Sequence, residues 1–225
     1  ALYDAFRRFG FGTPTGIELT GEQSGVVWQP GEASGDLTTA QNAFGQGLSL
    51  TAVQLVAGYA SFANGGNLVT PHVVAGWTDP DGTYRAADQP PSERIMRPET
   101  AATMVELLTN AIDDGIAKGA QVAGYTVAGK TGTAQIAGPV QVKNDDGDVV
   151  ERWQYIPGWV DSSFVGLLPA GDVKLATVIL IHRPAGAGGP QMPKRPESVY
   201  ADLMPQMLDY LAIPPDRPFQ PIAQP

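Results

Sequence analysis

Apolar residues recur at helical spacing in four stretches of the chain. Leu2, Phe6 and Phe9 stand four and three apart, which predicts a short amphipathic helix over 2–9 that Gly10 ends. Thr51, with Gln54 three residues later, forms a capping box. Val53, Leu55, Val56, Tyr59, Ala60 and Phe62 then place a broad apolar stripe on a second helix, closed by Asn64-Gly65-Gly66. Pro98 suits the first position of a third helix, whose core-facing residues are expected to be Met104, Val105, Leu107, Leu108, Ala111 and Ile112. Its closing Asp113-Asp114-Gly115 sets acidic groups against the helix dipole, so the last turn is expected to fray. Ser198 is expected to cap a fourth helix running to about Leu211, with Val199, Leu203, Met207, Leu208 and Leu211 against a sheet.

Between these stretches the period changes to two or disappears. The segment 13–36 is rich in glycine, proline and acids and reads as surface loop with one short strand at 16–19. Leu68 to Trp77 alternates weakly and meets Asp79-Pro80-Asp81-Gly82, which predicts a hairpin returning near Tyr84 and broken by Pro90-Pro91. A strand is expected over 125–135, followed by an elaborated loop over 136–158 that reads as a hairpin turning at Asp145-Asp146-Gly147, with Trp153, Tyr155 and Trp159 on its return. Aromatics there suit either recognition or, more commonly, packing of the loop on its own domain. Two strands follow, 161–168 and 173–181, the second nearly all apolar as in a strand covered on both faces. The segment 186–196 reads as a glycine and proline loop, and the tail from Pro214 as extended and solvent-exposed without a packed role. The chain contains no internal repeat.

Length and charge narrow the possibilities. With 225 residues, 43% of them hydrophobic, the chain can bury a sizeable core. We divide it into one domain, 1–213, and a proline-rich tail, 214–225. A formal charge of −9 without a long basic run argues against nucleic acid and anionic membrane surfaces as partners. No apolar run reaches the roughly 20 residues of a membrane span, and no signal peptide opens the chain. Zero cysteines exclude a disulfide framework and a thiolate zinc site. His72 and His182 stand apart in sequence, so neither points to a metal, and no cofactor is expected.

The candidate chemistry gathers in Val127-Ala128-Gly129-Lys130-Thr131-Gly132-Thr133-Ala134-Gln135, where a cation and two hydroxyls surround a residue with no side chain. Such a run suits an anion. Two motifs overlap in it. Gly124 to Thr131 matches the phosphate-loop pattern G-x-x-x-x-G-K-[ST] letter for letter. That loop needs an apolar strand before its first glycine and a helix starting at its lysine. The residues before Gly124 are small and polar, and Gly132 and Gly138-Pro139 oppose a helix afterwards. The other motif is the Lys130-Thr131-Gly132 triad of penicillin-interacting serine enzymes, carried on a strand beside the active-site cleft. By itself such a triad could equally be a solvated lysine on an ordinary edge strand.

Much of the remaining chain resembles the class B penicillin-binding proteins. Gly45-Gln46-Gly47, Thr51, Gln54, Tyr59 and Asn64-Gly65-Gly66 follow that family's G-Q-G…T-x-x-Q-x-x-x-x-Y…N-G-G pattern, and Ser163 to Pro169 and Leu175 to Ile181 are similar to its last two core strands. The resemblance runs from about Phe9 to Asp216 and implies the C-terminal part of a transpeptidase domain. The implied fold is mixed α/β, with helices packed on a mostly antiparallel sheet of five strands, the last three of which lie in this chain.

The resemblance also implies a role for each site residue. Lys130 would hold the terminal carboxylate of a peptidoglycan stem peptide or a β-lactam, Thr131 and Thr133 would hydrogen-bond it, Gly132 would leave room, and the Thr133 N–H would supply half an oxyanion hole. The family's nucleophile is the serine of S-x-x-K, and no serine here has a lysine three positions on; S-x-N is missing too. Both motifs, and the membrane anchor of a cell-wall-facing parent, are expected upstream, so this chain alone should be inactive. Alternatives are a non-catalytic module that binds cell-wall peptide or a division partner, and the nucleotide enzyme. An upstream strand would pair with the last strand, leaving here an open apolar edge. We therefore expect the chain either to be accompanied by its upstream segment or to self-associate through that edge. Size-exclusion chromatography with and without that segment checks this, and a stable monodisperse monomer of the chain alone would count against it.

Overall fold

In the computed structural model, residues 1–32, 36–88, 90–185 and 194–218 are described. In chain order the elements are α1 (Leu2–Arg8), β1 (Val26–Val27), α2 (Asp36–Ala43), β2 (Leu48–Ser49), α3 (Ala52–Ala63), β3 (Asn67–Val69), β4 (Gly76–Thr78), β5 (Tyr84–Ala86), β6 (Ser92–Arg94), α4 (Pro98–Asp113), β7 (Ala128–Lys143), β8 (Val149–Leu168), β9 (Leu175–His182) and α5 (Pro196–Tyr210). A 3₁₀ turn over Lys118–Ala120 links α4 to the sheet. The fold is mixed α/β, as the sequence leads one to expect.

The main sheet is antiparallel with order β7-β8-β9. Directly paired residues share a face, so Ala128 with Leu167 and Lys130 with Val165 belong to one side, and Thr131 with Phe164 and Gly129 with Gly166 to the other. On the second side α5 lies down Tyr200, Met204 and Leu208; of the residues expected there Leu208 is buried and Met207 packs beside it, while Tyr200 and Met204 take the places expected of Val199 and Leu203. Leu203 and Leu211, assigned to the sheet from the pattern, are partly exposed. Pro196 takes the first position of the helix, and Ser198 sits two residues inside, its hydroxyl bonded to the Arg195 backbone rather than forming the cap. The Tyr200 and Phe164 rings meet edge to face at 4.8 Å. Glycine at 166 is what admits the ring, since a Cβ there would lie 2.5 Å from Tyr200. On the first side, Leu108 of α4 with Tyr59 and Phe62 of α3 closes over Ala128 and Leu167.

α3 forms with its capping box intact. Its fully buried residues are Gln54, Ala57, Gly58 and Ser61, whereas the larger residues of the expected stripe are half-buried. The small residues let the helix sit close to Phe9 and Phe11, near the Gly58 backbone. Gln54 also fixes the preceding loop, donating to the carbonyls of Thr13 and Ser24 at 2.7 and 2.8 Å. No strand forms at 16–19. The Glu22 carboxylate accepts from the Thr15 and Gly16 amides at 2.7 and 3.1 Å and ties that segment into a turn. The Thr15 hydroxyl bond leads these contacts in holding the Glu22 carboxyl below its ordinary range. The short strand lies instead at β1, paired with β2. α2, unmarked by any clear period, is held by the buried Asn42, which donates to the Tyr3 hydroxyl and the Trp28 carbonyl.

The hairpin β4–β5 turns at 79–83 as read from sequence, and the residues after Pro90-Pro91 form β6 on β3. α4 matches its expected span and buries Ala101, Leu108 and Ile112. Leu107 is 57% exposed and belongs to the outer face. Its C-terminus does not end in unpaired acid, because the Arg217 guanidinium meets Asp113 at 3.1 and 3.3 Å. The described residues of 214–225 are largely exposed, as expected, but that contact gives them a packing role that the sequence reading denied. Tyr125 donates to the Ile213 carbonyl at 2.6 Å, the Asp216 carboxylate accepts the Thr126 amide at 2.7 Å, and Arg217 donates to the Thr126 hydroxyl. The glycine and proline loop of 186–193 and residues 219–225 lie outside the described residues.

β9 pairs with β8 and, among the described residues, with nothing else, and Leu180 is 56% exposed. The apolar second edge expected from sequence is therefore present. Within the core the Tyr200 hydroxyl has no hydrogen-bond partner among the described residues, and burial pushes its pKa well up. Tyr200→Phe removes a buried donor that bonds to nothing, so it should leave stability unchanged or raise it by about 1 kcal/mol. Urea denaturation checks this; a loss above about 1 kcal/mol would mean that the hydroxyl is satisfied.

A lysine on the free edge of the sheet

The expected site strand is β7, which starts at Ala128 and runs on past Gln135: the elaborated loop forms the hairpin read from sequence, a regular two-stranded ribbon to the turn at 144–148. Its alternating residues Val140 and Val142 pair with Arg152 and Val150 in a continuous ladder. A bulge between Gln135 and Ala137 separates ribbon from sheet. Trp153 stands exposed on the ribbon, while Tyr155 accepts a bond from Gln41 of α2 at 3.1 Å. Trp159 carries the Arg183 guanidinium 3.3 Å above its ring.

Lys130 lies within β7 and not at the start of a helix, which removes the phosphate-loop reading. Its side chain is exposed, and its ammonium donates to the Thr131 carbonyl at 2.9 Å, leaving donors for an anion. Gly132 follows on the same side of the sheet. A Cβ there would come 2.6 Å from the Ser163 hydroxyl, so the glycine keeps that face open. Thr131 and Thr133 project to the other side, Thr131 half-buried and Thr133 exposed. The four residues therefore flank the strand edge from both faces rather than gathering on one. Two cavities of the fold lie away from them: one of about 250 Å³ among Phe9, Gln54 and Leu68, another between Phe62, Val105 and Val173.

Which backbone groups point outward is fixed by a contact the sequence did not announce. The Gln135 amide donates to the Gln46 side-chain oxygen at 3.1 Å, and the Gln46 side-chain nitrogen donates to the Gln135 carbonyl at 2.8 Å. Gln135 thus directs both its groups away from β8. Its partner Val160 does the same on the other side, accepting from the Arg183 amide at 3.0 Å. In an antiparallel pair this orientation recurs every second residue, so Thr133 and Thr131 also present their N–H and C=O at the free edge. The Lys130 bond to the Thr131 carbonyl agrees with that direction. An extended ligand laid along this edge would meet an ammonium, two hydroxyls and an outward amide.

His182, isolated in sequence, is paired in the fold. Asp161 and His182 lie opposite each other on β8 and β9, and their side chains meet at 2.6 Å. Among the described residues no group of three or more His, Cys, Asp or Glu could hold a metal ion.

The penicillin binding protein transpeptidase domain model matches residues 1–204. Stage V sporulation protein D of Bacillus subtilis is 35% identical over 187 residues, covering 82% of this chain and 27% of that protein. Penicillin-binding protein PbpB of Mycobacterium tuberculosis is 37% identical over 190 residues, covering 81% and 26%, and the peptidoglycan D,D-transpeptidase FtsI of Escherichia coli K12 is 31% identical over 191 residues, covering 82% and 27%. The chain therefore spans about a quarter of the length of these curated relatives. Penicillin binding protein 3 of Mycobacterium tuberculosis complexed with aztreonam superposes with a TM-score of 0.78 at 28% identity, over 99% of this chain and 48% of that one. Its ampicillin complex gives 0.79 at 28% identity, over 98% and 48%.

The link between the C-terminal segment and the entry to β7 is testable by itself. Arg217→Ala breaks partly exposed, charge-assisted bonds to Asp113 and Thr126, and should cost about 1 kcal/mol. The expected result is a lower urea midpoint with an unchanged slope; an unchanged midpoint would show that the segment contributes nothing to holding the strand.

Proposed function

The chain belongs to the penicillin-binding protein transpeptidase domain family, and from that premise we propose that it is the part of a peptidoglycan D,D-transpeptidase that supplies the lysine-bearing wall of the active site. The observation that carries the reading is the position of Lys130 on a strand edge that is unpaired among the described residues, with the Thr133 amide directed outward beside it. The relative in Escherichia coli is named a peptidoglycan D,D-transpeptidase, and the solved neighbours hold aztreonam and ampicillin.

In the reaction, a serine of the S-x-x-K type, which this sequence does not contain, gives up its proton to the neighbouring lysine and attacks the penultimate D-alanine carbonyl of a stem peptide. The terminal D-alanine leaves as its amine takes a proton, and an amine of a second strand then displaces the serine from the acyl-enzyme. A β-lactam enters by the same attack, but its opened ring stays attached. Lys130 attracts the terminal carboxylate electrostatically and biases the proton network around it. Thr131 and Thr133 donate to that carboxylate from the other side of the edge, Gly132 keeps the approach clear, and the Thr133 N–H receives part of the charge developing on the carbonyl oxygen. No cofactor enters. The work takes place on the cell-wall side of the cytoplasmic membrane, with the parent anchored by a segment other than those described; none of the described helices is long and apolar enough to cross a membrane. The upstream segment of the same domain is the required structural partner, and cell-wall synthesis or division proteins are the proposed outer ones.

A labelled penicillin that survives denaturing electrophoresis tests the reading. The intact parent should be labelled, and Lys130→Ala should slow labelling by about 10²-fold or more, the scale of losing a dedicated transition-state contact. Labelling at the wild-type rate in the variant would remove Lys130 from the site, and an unlabelled wild-type parent would favour a non-catalytic peptide-binding module.

A further inference from the structure

We propose that Gln46 is a positioning residue for acyl transfer: its carboxamide terminates the free edge of β7 at Gln135 and thereby sets where the Thr133 amide points. The inference rests on the reading of the site given under Proposed function and assigns a role to a residue that touches neither substrate nor nucleophile.

The geometry is that of a strand replaced by one side chain. A carboxamide offers a donor and an acceptor with the spacing of a peptide group, and Gln46 uses both, at 2.8 Å to the Gln135 carbonyl and 3.1 Å from the Gln135 amide. Gln46 reaches across 89 residues of sequence, so the bonds fix the relation of two distant segments. The support behind it is built for this placement. Gly45 adopts a φ of +84°, open to glycine, and a Cβ on Gly47 would lie 2.5 Å from the Asn42 side-chain oxygen. The Gln46 amide is held by the Gln41 carbonyl at 3.0 Å, Gln41 in turn bonds Tyr155 on β8, and Asn42 is buried.

Two consequences follow for the edge. Outward groups recur at Thr131, Thr133 and Gln135, and saturating Gln135 ends the stretch to which an extended peptide can add, so an incoming chain is held in register at Thr131 and Thr133. The bulge between Gln135 and Ala137 follows immediately, and without a clip the strand could shift there. An oxyanion donor works only when aimed where the charge will appear, so a small rotation of β7 weakens it without removing it.

The experiment uses the intact parent protein and a labelled penicillin, with Gln46→Ala, the shorter Gln46→Asn, and Gln46→Glu, which keeps the length and the acceptor but loses the donor. We expect Gln46→Ala and Gln46→Asn to slow the acylation step about tenfold, less than the roughly 10²- to 10³-fold cost of deleting an oxyanion donor, while the dissociation constant of the non-covalent complex changes little. Gln46→Glu should fall between them and wild type. The acyl-enzyme carbonyl stretch, read by difference infrared spectroscopy, should move to higher frequency in the variants, because a misaimed donor polarises the carbonyl less. Wild-type acylation with an unmoved stretch would overturn the proposal, as would a loss of labelling that merely follows the loss of folded protein in a thermal melt. An unlabelled wild-type parent would instead refute the transpeptidase reading, and the role of Gln46 with it, before any variant is compared.

Discussion

The arrangement depends on an antiparallel pairing that leaves one side of β7 without a partner strand among the described residues. β8 supplies a continuous partner from Ala128 to Gln135 and, beyond the bulge, along the ribbon. Every second residue of β7 must then turn its backbone groups outward, because the other residues use theirs on β8. That constraint leaves an edge whose backbone groups are free to accept an extended ligand, as the proposed function requires. In most proteins such an edge is a hazard to be covered or charged. Here Lys130 charges it, and Gln46 closes it beyond the stretch where a peptide would lie.

The sheet holds this edge rigid from both faces by different means. On the α5 side, the packing of Tyr200 on Phe164 and Gly166 is tight enough that one added methyl group would collide, which locks the centre of β8. On the other side, Leu108, Tyr59 and Phe62 close over Ala128 and Leu167, two residues before the lysine. The C-terminal segment adds a polar tie at the entry to β7, where Asp216 and Arg217 take the backbone and hydroxyl of Thr126 and neutralise Asp113 at the end of α4. Residues that look like a disordered tail in composition thus secure the strand that carries the site.

Some of this is legible in the one-dimensional pattern because it rests on local physics. The Thr51 and Gln54 capping box, Pro98 at the start of α4, the Asp79 to Gly82 turn and the Asp145 to Gly147 turn are short-range devices, and each appears where it is written. Errors cluster where a distant partner decides. The Phe164 ring and Gly166 seat Tyr200 rather than Val199 on the sheet, Phe9 and Phe11 favour small residues over large ones on the buried side of α3, and Arg217 reaches back to Asp113. Asp161 and His182, meaningless apart, face each other across β8 and β9.

The sequence by itself determined that a cation and hydroxyls surround a bare backbone at 130–133, on a strand and not on a helix, in a chain with no S-x-x-K serine of its own. Those conclusions follow from side-chain type and local spacing. Only the tertiary structure decided which side of the strand is free, which amides point into it, and that Gln46 ends it. Those depend on pairing between residues far apart in the chain, and hydrogen-bond direction along a strand is unspecified until a partner strand takes up every other group.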